Sequence, residues 1–229
     1  MGAEAARRAW ARLAGLAAVD GIQVVVDAAS PLGRRGWIGI LAVDGMVTAC
    51  VPRRDLEWPV ATVLGGLTSQ EATTPEIVRP RLPPTRAVLG PAMLFYPPDG
   101  FSIGEVPGVE EVASDDVQGL FRAVSPDDLD ESGLLEIKGP VFASRAANGD
   151  LAAVCGYRRW PNEVAHLSVL AHPSHRREGH GRRAAAAAIH RAMDEKLLPQ
   201  WRARPAASQA LARSLGLIAL GAQLSLEPA

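Results

Sequence analysis

The stretch Leu167–Arg183 reads LSVLAHPSHRREGHGRR, and its texture changes twice in that short space. It begins inside an apolar run of strand type, Val164–Ala171, and crosses the polar loop His172–Glu178. It then enters a helix-forming run, Gly179–Lys196, that carries five consecutive alanines at Ala184–Ala188. A helix N-terminus presents unpaired N–H groups and about half a positive charge. Glycine in a first helical turn costs ~1 kcal/mol relative to alanine, so Gly179 and Gly181 together call for a reason. Without a Cβ they let a ligand approach the main chain, and Arg176, Arg177, Arg182 and Arg183 bring positive charge to the same place. This pattern predicts a phosphate-binding helix start rather than a solvated arginine run.

Two phosphate fingerprints compete for it. Gly179-His-Gly181-Arg-Arg-Ala184 matches the G-x-G-x-x-A pattern of dinucleotide folds. That fold sets its first glycine directly after a strand and an acid at the end of the next one. Here seven residues separate Ala171 from Gly179, and the next strand, Gln200–Ala203, ends without an acid. The dinucleotide reading fails on both counts.

Outward from this segment, Ala206–Leu215 reads as a helix closed by Gly216, and Leu217–Leu226 as a final strand. Upstream, Val141–Ser144 and Leu151–Tyr157 are strands joined around Asn148-Gly149. Asp115–Val124 is a helix with Ser114 as its N-cap, and Ser125-Pro126-Asp127-Asp128 opens another. The first half contains an amphipathic helix over residues 3–19, a strand Ile22–Val26 and a hairpin Gly36–Val51 that turns at Asp44-Gly45. A helix follows over Arg53–Leu67. Pro75–Pro107 holds eight of the eighteen prolines and reads as an extended crossing with one strand at Ala92–Tyr96. The expected fold class is α/β (α+β): a mixed, mostly antiparallel sheet flanked by helices, preceded by a smaller α/β N-terminal region. The expected division is 1–110 and 111–229, the first packing on the second.

Ala171-x-Pro173-x-x-Arg176-x-x-Gly179-x-Gly181, after an apolar strand, closely resembles the signature loop of the GNAT superfamily of acetyl-CoA-dependent N-acetyltransferases. Ser208-x-x-Leu211-x-x-x-Leu215-Gly216-Leu217 is similar to the family's closing helix and strand, and the element order from about 111 to 226 matches. The resemblance covers roughly the second half of the chain. It implies a GNAT-like acyltransferase fold, with main-chain groups of Val169, Leu170 and Ala171 on the pantetheine arm of acetyl-CoA beside a splayed strand edge. By the same analogy the backbone of Arg176, Arg177, Glu178, Gly179, His180, Gly181 and Arg182 wraps the pyrophosphate, and Ser208 reaches the cofactor.

The chain departs from the family at several places. Pro205 replaces an asparagine, the frequent proton-donating tyrosine falls on Ala212, and the usual base falls near Ala165 or Leu167. His166 lies between those two, on the opposite face of the strand. Glu163, after the Trp160-Pro161-Asn162 turn, has the right parity and is the candidate catalytic base. The implied function is direct transfer of an acetyl group from acetyl-CoA to a primary amine of a small-molecule or peptide acceptor. The alternative is a non-catalytic acyl-CoA-binding module that kept the cofactor loop and lost its acid and base.

Other classes are weaker. All five histidines, His166, His172, His175, His180 and His190, fall within 25 positions, but their spacing gives no metal-ligand pattern and no metal is expected. A net charge of −1, 48% hydrophobic and 21% charged residues describe an ordinary globular protein. The arginines of 176–204 lack interleaved aromatics, so neither nucleic acid nor membrane is an expected partner. Cys50 and Cys155 read as buried thiols in a reducing compartment. With Glu4, Arg7, Arg8 and Arg12 interrupting any secretory pattern, the expected location is cytoplasmic.

Overall fold

The computed structural model describes residues 2–160 and 163–229, with every side chain among them except those of Ser114 and Asp115. The expected Ser114 cap, and Pro161-Asn162 of the expected turn, lie outside the described residues. Along the chain run α1 (Gly2–Ala14), β1 (Gly21–Val26), β2 (Ile38–Val43), β3 (Met46–Val51), α2 (Glu57–Gly65), α3 (Ser69–Ala72), α4 (Pro75–Val78) and β4 (Thr85–Tyr96). There follow β5 (Val109–Val112), α5 (Gln118–Ala123), α6 (Pro126–Ser132), β6 (Val141–Arg145), β7 (Leu151–Arg159) and β8 (Val164–Ala171). The chain ends with α7 (His180–Asp194), β9 (Leu198–Ala203), α8 (Ala206–Ser214) and β10 (Ile218–Pro228). No helix of the described residues is long and apolar enough to cross a membrane.

These elements form two compact units that interleave in sequence. One comprises Met1–Tyr96, Arg202–Gln209 and Ile218–Ala229, the other Pro97–Trp201 and Ala210–Leu217. The units are therefore drawn differently from a division at 110/111. The reason is β10, which hydrogen-bonds antiparallel to β2 on one side and to β4 on the other.

In the first unit the strand order is β1-β3-β2-β10-β4, with β1 parallel to β3 and the other pairs antiparallel. Asp44 and Gly45 take φ values of 45° and 82°, the backbone of a two-residue hairpin turn whose twist suits the flanking strands. Val60 and Leu64 of α2 pack with Ile38, Ile40 and Leu224 in a buried apolar cluster. Trp10 of α1 donates its indole N–H to the Tyr96 hydroxyl at 2.6 Å, satisfying two buried polar groups at once. The helix expected over 3–19 ends at Ala14, because Gly15 turns left-handed at φ 68°. The proline-rich crossing is more ordered than its composition suggests. It contains α4 and the twelve-residue β4, in which a cis Gly90–Pro91 bond lies beside a register shift against β10. Proline lacks a ladder donor, and strands admit it at such irregularities.

In the second unit the order is β9-β8-β7-β6-β5, with β8 and β9 parallel and the rest antiparallel. Strand alternation sends Val141, Ala143, Val154 and Leu170 into a cluster with Val117, Leu120 and Val124 of the α5 segment. It turns Ser144 and Tyr157 toward α7. The expected helix 115–124 is a 3-10 turn, Ser114–Val117, running into α5. In α7, Ala184, Ala185 and Ala188 are fully buried, so the helix lies close on β6, β7 and β8. Burial raises the thiol pKa of both Cys50 and Cys155, that of Cys155 strongly, and neither is in a disulfide.

Candidate functional site

The site is built where β8 ends and α7 begins. Every residue of β8 from Ala165 to Ala171 pairs with β7, down to Ala171 opposite Ala153. The His172 N–H continues that ladder to the Ala152 carbonyl at 2.9 Å, so the even-numbered residues of β8 turn their main-chain groups toward β7. The odd-numbered residues face the other way. There the parallel partner β9 pairs only with Val164, Ala165 and His166 among the described residues. The outward groups of Val169 and Ala171 thus stand past the end of that ladder. Leu170, opposite Val154, spends its main chain on β7. The trio expected on the pantetheine arm is accordingly two available residues and one committed residue.

Beyond Ala171 the chain makes a 3-10 turn, Pro173–His175, capped by the His172 ring, which accepts from the Ser174 N–H at 3.2 Å. Arg177 is left-handed at φ 69°, and Gly179 at φ 85° stands at the N-cap of α7. No side chain caps this helix, and its first internal bond runs from the Arg183 N–H to the Gly179 carbonyl at 3.0 Å. The N–H groups ahead of Arg183 have no partner inside the helix. The space where a Gly179 Cβ would stand is open. At Gly181 the missing Cβ points inward instead, 3.6 Å from Leu211 Cδ2 and 3.9 Å from Val169 Cγ2. Only Gly179 therefore keeps the approach to the main chain clear.

The arginines divide in a way that spacing could not show. Arg182 donates to the Ser214 carbonyl at the end of α8 (3.1 Å). Arg183 forks onto the Ser144 hydroxyl (3.3 Å) and His180 Nδ1 (2.7 Å). Arg176 is paired with Asp128 of α6 at 2.9 Å. Arg177 is exposed, with no side-chain partner among the described residues. The four arginine side chains expected to supply charge for a phosphate are thus differently engaged. Two of them brace the helix start, one is held by a carboxylate, and one is free.

His180, between the two glycines, is buried under this turn. Its Nδ1 lies 2.9 Å from the Ser144 hydroxyl and accepts from Arg183, so the ring proton sits on Nε2, 3.5 Å from Glu178. Burial first, and the Arg183 charge second, hold its pKa below the ordinary imidazole value. Glu178 also meets His175 Nδ1 at 3.2 Å. The His172, His175 and His180 rings form a row with centroids 5.5 and 6.1 Å apart. No three metal-binding side chains converge on one point among the described residues.

The candidate acid–base residues lie elsewhere. Ala165, Leu167 and Ala212 are buried and apolar. His166 turns to the other face, bonded to Gln200 at 2.8 Å, its ring tilted 60° to that of Trp160 with centroids 5.5 Å apart. Glu163 precedes β8, and its carbonyl accepts the Leu198 N–H at 2.8 Å, about 20 Å along the strand from Val169 at ~3.3 Å per residue. Ser208 stands in the first turn of α8, in the part of that helix that clusters with the first unit. Ser144 and Asp128 were not legible as site residues, because they lie 36 and 48 positions from their partners His180 and Arg176.

The family model described as GNAT acetyltransferase matches residues 145–221, from the end of β6 into β10. No curated protein matches the sequence. Among solved structures, the chain is similar to a GNAT-family protein from Novosphingobium aromaticivorans, with 22% identity, 63% of this chain and 70% of that one covered, and a TM-score of 0.49. An acetyltransferase of the GNAT family from Colwellia psychrerythraea has 13% identity, coverage of 63% and 58%, and a TM-score of 0.49. A GCN5-related N-acetyltransferase from Kribbella flavida has 23% identity, coverage of 61% and 58%, and a TM-score of 0.47. The matched region spans less than two thirds of the latter two. Over the segment 145–221, which holds β7, β8, the loop and α7, the chain matches the family model of the GNAT acetyltransferases.

Proposed function

We propose that the protein is an N-acetyltransferase that moves an acetyl group from acetyl-CoA directly to a primary amine of a small-molecule or peptide acceptor. The observation that carries this reading is the start of α7, a fifteen-residue helix without a side-chain cap, entered through a left-handed glycine with open space before it. Free N–H groups and the positive end of the helix dipole suit a pyrophosphate there. The outward main-chain groups of Val169 and Ala171 suit the amides of a pantetheine arm, as an added strand would. The residues present fit the cofactor. When bound, acetyl-CoA supplies the acetyl group as an activated thioester.

The chain contributes binding and orientation more visibly than proton transfer. The tyrosine position is Ala212, so no hydroxyl from that position meets the departing sulfur. A thiol of pKa near 8.5 leaves as thiolate at pH 7 for only about 2 kcal/mol, and catalysis without that hydroxyl is affordable. The buried apolar Ala165 and Leu167 favour the second reading, a binding module without turnover. Release of free thiol from acetyl-CoA in the presence of an amine panel separates the two. A chain that binds the cofactor but releases no thiol with any amine is the module.

The loop assignment has its own test. Gly179→Glu places a like charge where the phosphates would sit and strains a backbone at φ 85°. It is expected to abolish CoA binding in calorimetry while the variant still melts cooperatively. Unchanged affinity would remove the helix start from the cofactor site.

A further inference from the structure

We propose that Asp128 is a built-in competitor for the phosphate site, a carboxylate that occupies Arg176 in the free protein and is displaced when the cofactor binds. The inference rests on the acetyl-CoA reading above and adds to it a residue from outside the loop that sets cofactor affinity.

Most cationic side chains around the loop are already engaged. Arg182 and Arg183 are spent on a carbonyl, a hydroxyl and an imidazole, none of them an anion. His175 faces Glu178 at 3.2 Å and Asp150 at 4.0 Å. Arg176 Nη2 meets Asp128 Oδ2 at 2.9 Å, with both side chains about half exposed at 45%. Only Arg177 lacks a side-chain partner among the described residues. An incoming diphosphate thus finds the loop's second cation already holding an anion.

Asp128 is held where it stands. It is the third residue of α6, its N–H bonded to the hydroxyl of the N-cap Ser125 at 3.1 Å. Its carboxyl is kept below the usual carboxylate range, by the Arg176 hydrogen bond first and by Ser125 second, so it stays charged at neutral pH. The pair itself is weak. A single-point bond between half-exposed groups has a small net value, whereas guanidinium and phosphate make a two-point, doubly charged contact. A phosphate group therefore wins Arg176, and Asp128 then returns to water near the bound anion. Affinity is lowered by the cost of breaking the pair. The device also disfavours small anions, which cannot supplement Arg176 with the main-chain contacts of α7 and β8.

The test measures CoA binding by calorimetry in the full-length chain for wild type, Asp128→Asn, Asp128→Ser, Arg176→Gln and the Asp128→Asn/Arg176→Gln double variant. Both Asp128 variants are expected to bind CoA about two- to fivefold more tightly than wild type, the range an exposed ion pair allows. In the Arg176→Gln background the gain should vanish, because no cation is left to release. Two Asp128 substitutions guard against one that disturbs α6, and thermal melts identify it. Weaker or unchanged CoA binding in both would overturn the proposal, as would a gain that persists without Arg176, which would mean simple repulsion. Failure of wild type itself to bind CoA would instead overturn the acetyltransferase reading.

Discussion

Glu163 and His180 carry the two predictions that belong to single side chains. A lysine-like amine of pKa ~10.4 must lose a proton before it can attack, at about 4.6 kcal/mol at pH 7, whereas an α-amine near 7.8 needs only about 1. With Ala165 and Leu167 apolar, a strongly basic acceptor requires a base acting through water, and Glu163 has the strand parity for it. Glu163→Gln is then expected to slow acetylation of such an amine roughly tenfold or more at neutral pH and less at high pH. A pH–rate profile identical to wild type would take Glu163 out of the mechanism and leave a weakly basic acceptor. His180 is a matter of stability. Its native pKa lies below the ordinary value, so as pH falls through ~6.5 the unfolded chain takes up a proton before the native one does. The unfolded state then binds more protons, and stability declines with falling pH from ~6.5 down through the native pKa. The urea midpoint should drop between pH 7 and pH 5. His180→Asn, whose Oδ1 can replace the Nδ1 acceptor for Ser144 and Arg183, should flatten that drop. An equal drop in both proteins would point to another titrating group.

At the scale of elements, the decisive contact is the approach of β10 to β2. A Cβ on Gly221 would stand 1.8 Å from the Ala42 carbonyl oxygen and 2.9 Å from Val43 Cα, and both obstacles are main chain that cannot swing aside. Gly221 also sits where the register against β4 shifts. Gly221→Ala should cost ~2 kcal/mol or more, read as a lower melting temperature. Gly119→Ala in α5, where the added methyl meets open space, should be neutral or stabilising by up to ~1 kcal/mol. Equal melting temperatures for the two variants would mean that β10 and β2 have room to separate. Most elements were legible because their signals are local: the Asp44-Gly45 and Asn148-Gly149 turns, the Ser125 cap, and the apolar run that is β8. The capping box of α3, Thr68 with Glu71, is equally local, but it opens only a four-residue helix in a segment of mixed polarity. The length of β4 was hidden by its own proline, since the pairing that tolerates Pro91 comes from the distant β10.

For the whole molecule, the returning strand decides what can be cut. A fragment of residues 111–229 keeps β10 but loses β2 and β4, which flank it on both sides. Such a strand exposes two unpaired edges, so the fragment is expected to aggregate or to melt without cooperativity. A soluble, cooperatively folding fragment with full activity would refute this. Sequence by itself determined the strand–loop–helix around Gly179, the family resemblance it carries, and the apolar positions where an acid and a base would be expected. These depend on neighbours within a few residues and on backbone preferences that glycine, proline and asparagine state openly. Tertiary structure alone decided that β10 belongs with β2 and β4, that Arg183 serves His180 and Ser144, and that Arg176 is held by Asp128. Charge tells an arginine only what it can bind. Which anion or lone pair it meets depends on how segments dozens of residues apart are packed, and no local pattern encodes that.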